Sequence, residues 1–335
     1  MRKRIALLFW PLIIAMLSCE TERSSNEHMF VSGPQTINNT QKWLSHEHIL
    51  VDFIGADSIQ PEQWNHRDVI DQIQPLLLDV TSQGIDIFVD ATPNFLGRDV
   101  RLLRSISEKT GLEIMTNTGL YGARGNKYIP EYGFTESAEE LAHRWIEEFD
   151  NGIDGTDIHP GFIKIGVDAK DSMDPIHMKL VEAAAYTHKK TGLTIASHTG
   201  PAISIWPQIE LLEDLGVSPE ALIWVHAQQE PDNDNYLKAA EKGCWISLDG
   251  LGWNWEEHID KILFSWENDI LDHILISHDA GWYDPQKQQQ DIQPYTNLVN
   301  NVYPTLLDEG MPAEDIDQLI TTNPLRAFSL KVRLQ

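Results

Sequence analysis

From residue 43 onward, short apolar runs alternate with longer amphipathic segments, and that alternation leaves few folds open to the chain. Eight such runs occur: "WLSHEHILVD", "IDIFVDAT", "EIMTNTGLY", "GFIKIGVD", "LTIASHTG", "LIWVHAQ", "CWISLDG" and "ILISHDAGW". Several are apolar on both faces, as strands of a parallel sheet buried between helices must be. The segments between them read as helices. "GRDVRLLRSISEKTG" and "HMKLVEAAAYTHKKTG" carry apolar residues at helical spacing and end on glycine, and "DNYLKAAEKG" is a shorter version. Eight strand-helix units predict an α/β fold of one domain, the (β/α)8 or TIM barrel. A doubly wound open sheet is the alternative, but it calls for a glycine-rich phosphate-binding turn after the first strand, and "HILVDFIGAD" has none. Neither an internal repeat nor a Pro/Gly/Ser-rich linker interrupts residues 42–335, so the barrel is expected to span them.

The segment before residue 42 is of another kind. Arg2, Lys3 and Arg4 precede an apolar run that ends in "MLSC", which predicts a bacterial signal peptide of lipoprotein type over residues 1–18 and lipidation of Cys19. Residues 19–41 are polar and are expected to form a flexible tether. A cleaved leader with a disordered scar is the plainer alternative. The expectation is therefore an exported protein, held at a bacterial membrane through its N-terminal lipid alone, in the periplasm or on the cell surface. Cys19 and Cys244 are the only cysteines, so no disulfide framework is available, and stability has to come from the core that 41% hydrophobic residues can build. With 51 acidic against 25 basic residues the formal charge is -26, a field that repels phosphate backbones and excludes nucleic acid as a partner.

Against the apolar background of the runs, ionisable residues recur near the carboxyl ends: His46, His48, Lys164, His198, His226 and Asp279. Side chains two apart in a strand share a face, so His46 and His48 project together and Glu47 points away. Alone, such a pair is as readily explained by a wet strand face. Six ionisable groups on one rim are harder to accommodate, because each costs several kcal/mol when buried without a partner or a metal. Two divalent metal ions satisfy the set: four imidazoles give nitrogen and Asp279 gives a carboxylate, with zinc the first choice and manganese, cobalt or iron the others. Lys164 fits only when uncharged. In the field of two cations its amine is deprotonated, and the free amine can take up carbon dioxide as a carbamate whose two oxygens bridge both metals. His278 should face the opposite way by alternation, His143, His188, His258 and His273 fall in helices or loops, and Glu47 and Asp52 read as structural.

Together with "GRDVRLL", "TGLY", "GIDGT" and "TTNPLRAF", these residues make the chain from about residue 40 to 335 similar to the phosphotriesterase-like branch of the amidohydrolase superfamily. The resemblance implies that His46, His48 and Asp279 bind the more buried metal, that His198 and His226 bind the more exposed one, and that carboxylated Lys164 bridges them. It also implies a metal-bridging hydroxide as nucleophile, with Asp279 accepting its proton. Tyr121 fits a tyrosine that lactonase members hold near the substrate oxygen. Gly250 stands where those lactonases resemble one another in an arginine and phosphotriester-degrading members tend to a histidine. The neighbouring aromatics Trp253, Trp255, Trp282 and Tyr283 are candidates to line a pocket for a sugar ring or acyl chain, with core packing as the competing role. The expected activity is that of a binuclear metal hydrolase opening a lactone or cleaving a carboxylic ester, on a small-molecule and sugar-derived or other extracellular substrate. Aryl-dialkyl phosphotriester hydrolysis is the first alternative, and a catalytically weak ligand-binding lipoprotein the second. The oligomer expected, if one forms, is a homodimer.

Overall fold

The computed structural model describes residues 27–60 and 63–335; the expected signal peptide and Cys19 lie outside the described residues. The described residues form eleven strands: β1 Glu27–Phe30, β2 Gly33–Thr36, β3 Trp43–Glu47, β4 Ile87–Asp90, β5 Glu113–Met115, β6 Asn117–Thr118, β7 Phe162–Gly166, β8 Thr194–His198, β9 Leu222–Val225, β10 Trp245–Leu248 and β11 Ile274–Ile276. The last nine are parallel and arise from the eight apolar runs in chain order, the third run being split into β5 and β6 at Thr116. They make two hydrogen-bonded ribbons, β3-β4-β5 and β6 through β11, joined where β5 continues into β6. Side chains close the other seam. Ser45 Oγ donates to the Ile276 carbonyl at 3.1 Å, the His46 N–H donates to Ser277 Oγ at 3.0 Å, and the Asp279 N–H donates to the His46 carbonyl at 3.1 Å. The fold is the (β/α)8 barrel in a single domain.

The helices start and stop where local chemistry says they should. Asp99 caps the helix Val100–Thr110 by accepting from the Leu102 N–H at 2.9 Å, and Gly111 ends it in the left-handed conformation at φ 77°. Ser137 and Glu140 form a capping box on the helix Ala138–Asn151, and Gly192 ends the helix Pro175–Thr191 in the same way as Gly111. Outward-facing strand residues pack against these helices in one large core. Inward-facing residues, among them Trp43, Met115, Phe162 and Trp245, fill the lower half of the barrel as a second, separate core.

One expectation is corrected here. Residues 27–36, assigned to the flexible tether, form an antiparallel hairpin that plugs the amino-terminal mouth of the barrel. Phe30 is 1% exposed and belongs to the inner core beside Trp43 and Phe328. The Val31 N–H donates to the Ile114 carbonyl at 2.8 Å, and His28 Nε2 donates to the Leu325 carbonyl at 3.0 Å. The average polarity of residues 19–41 hides "MFV", and burying an aromatic such as Phe30 stabilises by about 2–3 kcal/mol, enough to hold a short ribbon on a preformed surface. Among the described residues no helix is long and apolar enough to cross a membrane.

His188 ties the chain's last described strand-like segment to the barrel: its Nδ1 donates to the Leu193 carbonyl at 2.8 Å and its Nε2 accepts from the Arg333 N–H at 2.8 Å. Burial holds its pKa down to about 4, against 6.5 for the free side chain. Between those two values only the unfolded chain takes up the proton, so stability is lost as pH falls through that window. Urea unfolding should show a loss on the order of 3 kcal/mol from this residue between pH 7 and pH 4, and His188→Gln should flatten the pH dependence by that amount. An unchanged slope in the variant would remove His188 as its source.

Candidate metal centre

Simple alternation delivers two of the six ionisable residues. Lys164 is the third residue of β7 and His198 the last of β8, each on the inward face with Phe162 and Ala196 below them. The first strand departs from alternation. Its register with β4 shifts between Leu44 and Glu47, so that Leu44 packs outward among the helices while His46 and His48 line the interior cleft. His226 and Asp279 follow the ends of β9 and β11 in the left-handed region, at φ 62° and φ 49°. A non-glycine residue there carries strain of about 1–3 kcal/mol, which persists where the surroundings hold the side chain to a task.

All six residues line one cleft at the carboxyl end of the barrel. His48 Nε2 lies 3.0 Å and His46 Nε2 3.6 Å from Asp279 Oδ1. Across the cleft, His226 Nε2 and His198 Nδ1 face each other at 2.7 Å. One ligand atom each from His46, His226 and Asp279 fall within 4.8 Å of one another. The ring nitrogens turned away from the cleft are already engaged: His226 Nδ1 meets Asp249 Oδ1 at 2.6 Å and His48 Nδ1 meets Thr92 Oγ1 at 2.8 Å. This leaves the inward nitrogens as lone-pair donors, the arrangement metal-binding histidines need.

At His46 and His198 the electrostatics agree with that reading. Burial, then the Lys164 charge, pushes His46 well below its usual value; burial, then His226 and Lys164, does the same to His198. Both are neutral imidazoles. For His226 burial opposes the charged form, but Asp249 and Asp279 outweigh it and the pKa is raised. Asp249, despite complete burial, is held well below the carboxylate range by His226 and His46. Burial brings Lys164 down to about 8 although Asp249 and Asp279 favour its charge. Among the described residues its Nζ has no hydrogen-bond partner, and Lys164 is 2% exposed. An orphaned buried amine among neutral imidazoles and a carboxylate is costly as it stands, and it fits a centre completed by two cations.

The structure brings Tyr121 and Trp282 into the same cleft, with ring centroids 5.0 Å from His198 and 5.9 Å from His48. Trp253 does not line it. It is 58% exposed on the rim, stacks near Trp282 at 5.6 Å, and donates its indole N–H to the Asp279 carbonyl at 2.8 Å, because the short helix Leu251–Asn254 lifts it over the barrel mouth. Trp255 and Tyr283 pack against the main core. His278 faces outward, bonded to Glu47 Oε1 at 2.7 Å, and Glu47 also accepts from Ser277 Oγ and the His278 N–H. Asp52 accepts from the Ile54 N–H at 3.0 Å and Gln63 Nε2 at 2.6 Å.

Sequence reasoning missed Asp249 and Arg124. Asp249 ends "CWISLDG" as a fully buried acid, accepts from the His226 N–H at 3.1 Å, and reaches both His226 and His46. Its signal was the same as that of the chosen six, a charge closing an apolar run. Arg124 lines the cleft from the loop after β6. The structure also explains Gly250. A Cβ there would lie 2.8 Å from Gln228 Nε2 and 2.9 Å from His258 Nε2, so neither arginine nor histidine fits without displacing both.

The profile of the phosphotriesterase family matches residues 30–328. The chain is 25% identical over 291 residues to a phosphotriesterase homology protein of Escherichia coli (strain K12), covering 85% of this chain and 97% of that one. It is 27% identical over 309 residues to an aryldialkylphosphatase of Saccharolobus solfataricus, covering 85% and 94%, and 24% identical over 296 residues to an N-acetyltaurine hydrolase of Bos taurus, covering 82% and 83%. With a barrel that gathers histidines and carboxylates at its carboxyl mouth and a profile that matches nearly its whole described length, the chain belongs to the phosphotriesterase family of binuclear metal-dependent hydrolases.

Proposed function

We propose that the protein opens lactones or cleaves carboxylic esters at a centre held by His46, His48, Asp279, His198 and His226 and bridged by Lys164 as its carbamate. The observation that carries this is the buried, unpartnered Lys164 Nζ between the two groups of donors. With its pKa near 8, roughly one amine in ten is free at pH 7 and able to add carbon dioxide with loss of a proton. Two divalent ions, zinc foremost, supply Lewis acidity to the carbonyl oxygen and to the attacking water. The chain's own residues do the rest. Asp279, 3.0 Å from His48 Nε2, takes the proton of the water and hands it toward the leaving oxygen. Asp249 fixes the tautomer of His226, and Tyr121 positions the acyl group beside His198.

Val51, Leu96, Tyr121 and Trp282 give the cleft an apolar wall suited to the carbon skeleton of an ester or lactone. Likeness to an aryldialkylphosphatase supports phosphotriester hydrolysis as the second reading. Export on a lipid at Cys19 would bring extracellular or sugar-derived lactones to the site. A panel of sugar lactones, acyl lactones and aryl-dialkyl phosphotriesters, assayed with zinc- and manganese-loaded enzyme, decides between them. Lactones should exceed phosphotriesters in kcat/KM by at least about 100-fold. Comparable values would favour the second reading.

A further inference from the structure

Besides Lys164, Arg124 is the only lysine or arginine lining the cleft among the described residues. Its backbone is held in the left-handed region at φ 60°, where Asp168 Oδ1 accepts its N–H at 2.7 Å. Asp168 is the acid at hand, and its carboxylate is spent on that N–H, on the Gly125 N–H and on Lys170 Nζ at 3.8 Å. The guanidinium is exposed and pairs with no carboxylate of the described residues; it lies over the Phe53 ring at 5.7 Å and hydrogen-bonds the Tyr121 hydroxyl inside the cleft. Only water and a neutral phenol meet this guanidinium, so at the mouth of the cleft it is the cation placed to receive an anion entering from outside. A planar fork of N–H donors matches a carboxylate bidentately.

We infer that Arg124 is the specificity-determining residue of this site and receives a carboxylate carried by the substrate, which is then the lactone or half-ester of a dicarboxylic acid. The inference rests on the ester-hydrolase reading above and narrows its substrate class. With glycine at position 250, Arg124 is the cation able to meet such a group. The lining aromatics Phe53 and Tyr128 would cover the methylenes between the carboxylate and the scissile ester.

The test uses the metal-loaded enzyme with 4-nitrophenyl glutarate, which carries a free carboxylate, and 4-nitrophenyl valerate, which does not. The wild type should prefer glutarate by at least about tenfold in kcat/KM. In Arg124→Gln the glutarate-to-valerate ratio should fall roughly 10- to 100-fold, mainly through KM, with Arg124→Lys in between. A wild-type ratio near one, or an Arg124→Gln ratio within about twofold of wild type, overturns the role of Arg124 while leaving the ester-hydrolase reading intact. Failure of the wild type on both esters overturns that reading instead. Calorimetric titration with glutarate then still judges Arg124: tighter binding by the wild type than by Arg124→Gln upholds the assignment, and equal binding removes it.

Discussion

Replacing Lys164 with methionine is expected to lower kcat by at least about a thousandfold, and to cut bound metal to one ion or fewer per chain, while the metal-free protein becomes more stable. The opposite signs follow from one fact. The Lys164 Nζ is buried without a partner, so the metal-free fold bears the cost of an unsatisfied polar group, on the order of 1–3 kcal/mol, that a methionine of similar length does not impose. A lysine whose role is structural predicts the reverse, a less stable variant with its turnover intact. Paired measurements on the same preparations, urea unfolding in chelator and turnover with saturating zinc, separate the two. Loss of both activity and metal-free stability would place the lysine in the architecture rather than in the centre.

Asp279→Asn should leave the fold and most of the bound metal in place and reduce kcat by roughly 100- to 10,000-fold. Asparagine retains an oxygen where Asp279 Oδ1 meets His48 and His46, and it is among the few side chains that tolerate the left-handed backbone found here, so the strain at φ 49° is not made worse. It cannot accept a proton. The drop should appear in kcat and kcat/KM together, since the lost interaction belongs to the transition state and not to substrate binding. A variant that keeps its turnover would take the proton-transfer role away from Asp279, and one whose KM alone rises would assign it to binding.

Much of this architecture could be read from residues because parallel barrel strands are buried on both faces, and the eight apolar runs became the barrel strands in the order in which they occur. Lys164 and His198 were legible for the same reason: each sits at an inward position of a regular strand. Other features depend on backbone geometry that no period reveals. The register shift that turns His46 inward while Leu44 faces out, and the left-handed turns that re-aim His226 and Asp279, are local departures from alternation. Asp249 was passed over although it closes an apolar run as Asp279 does, because its partners His226 and His46 come from other strands and no spacing links them. The hairpin of β1 and β2 was hidden by polar neighbours, and Trp253 left the cleft because a four-residue helix, too short for a periodic signal, carries it onto the rim.

The wild-type arm of the Lys164 comparison tests the central claim most directly: elemental analysis of the purified protein, with anomalous diffraction from the same preparation. The account predicts close to two divalent ions per chain, one among His46, His48 and Asp279 and the other beside His198 and His226, with added density on Lys164 Nζ between them. A protein that stays free of metal at saturating zinc, with an unmodified amine at Lys164, would contradict it.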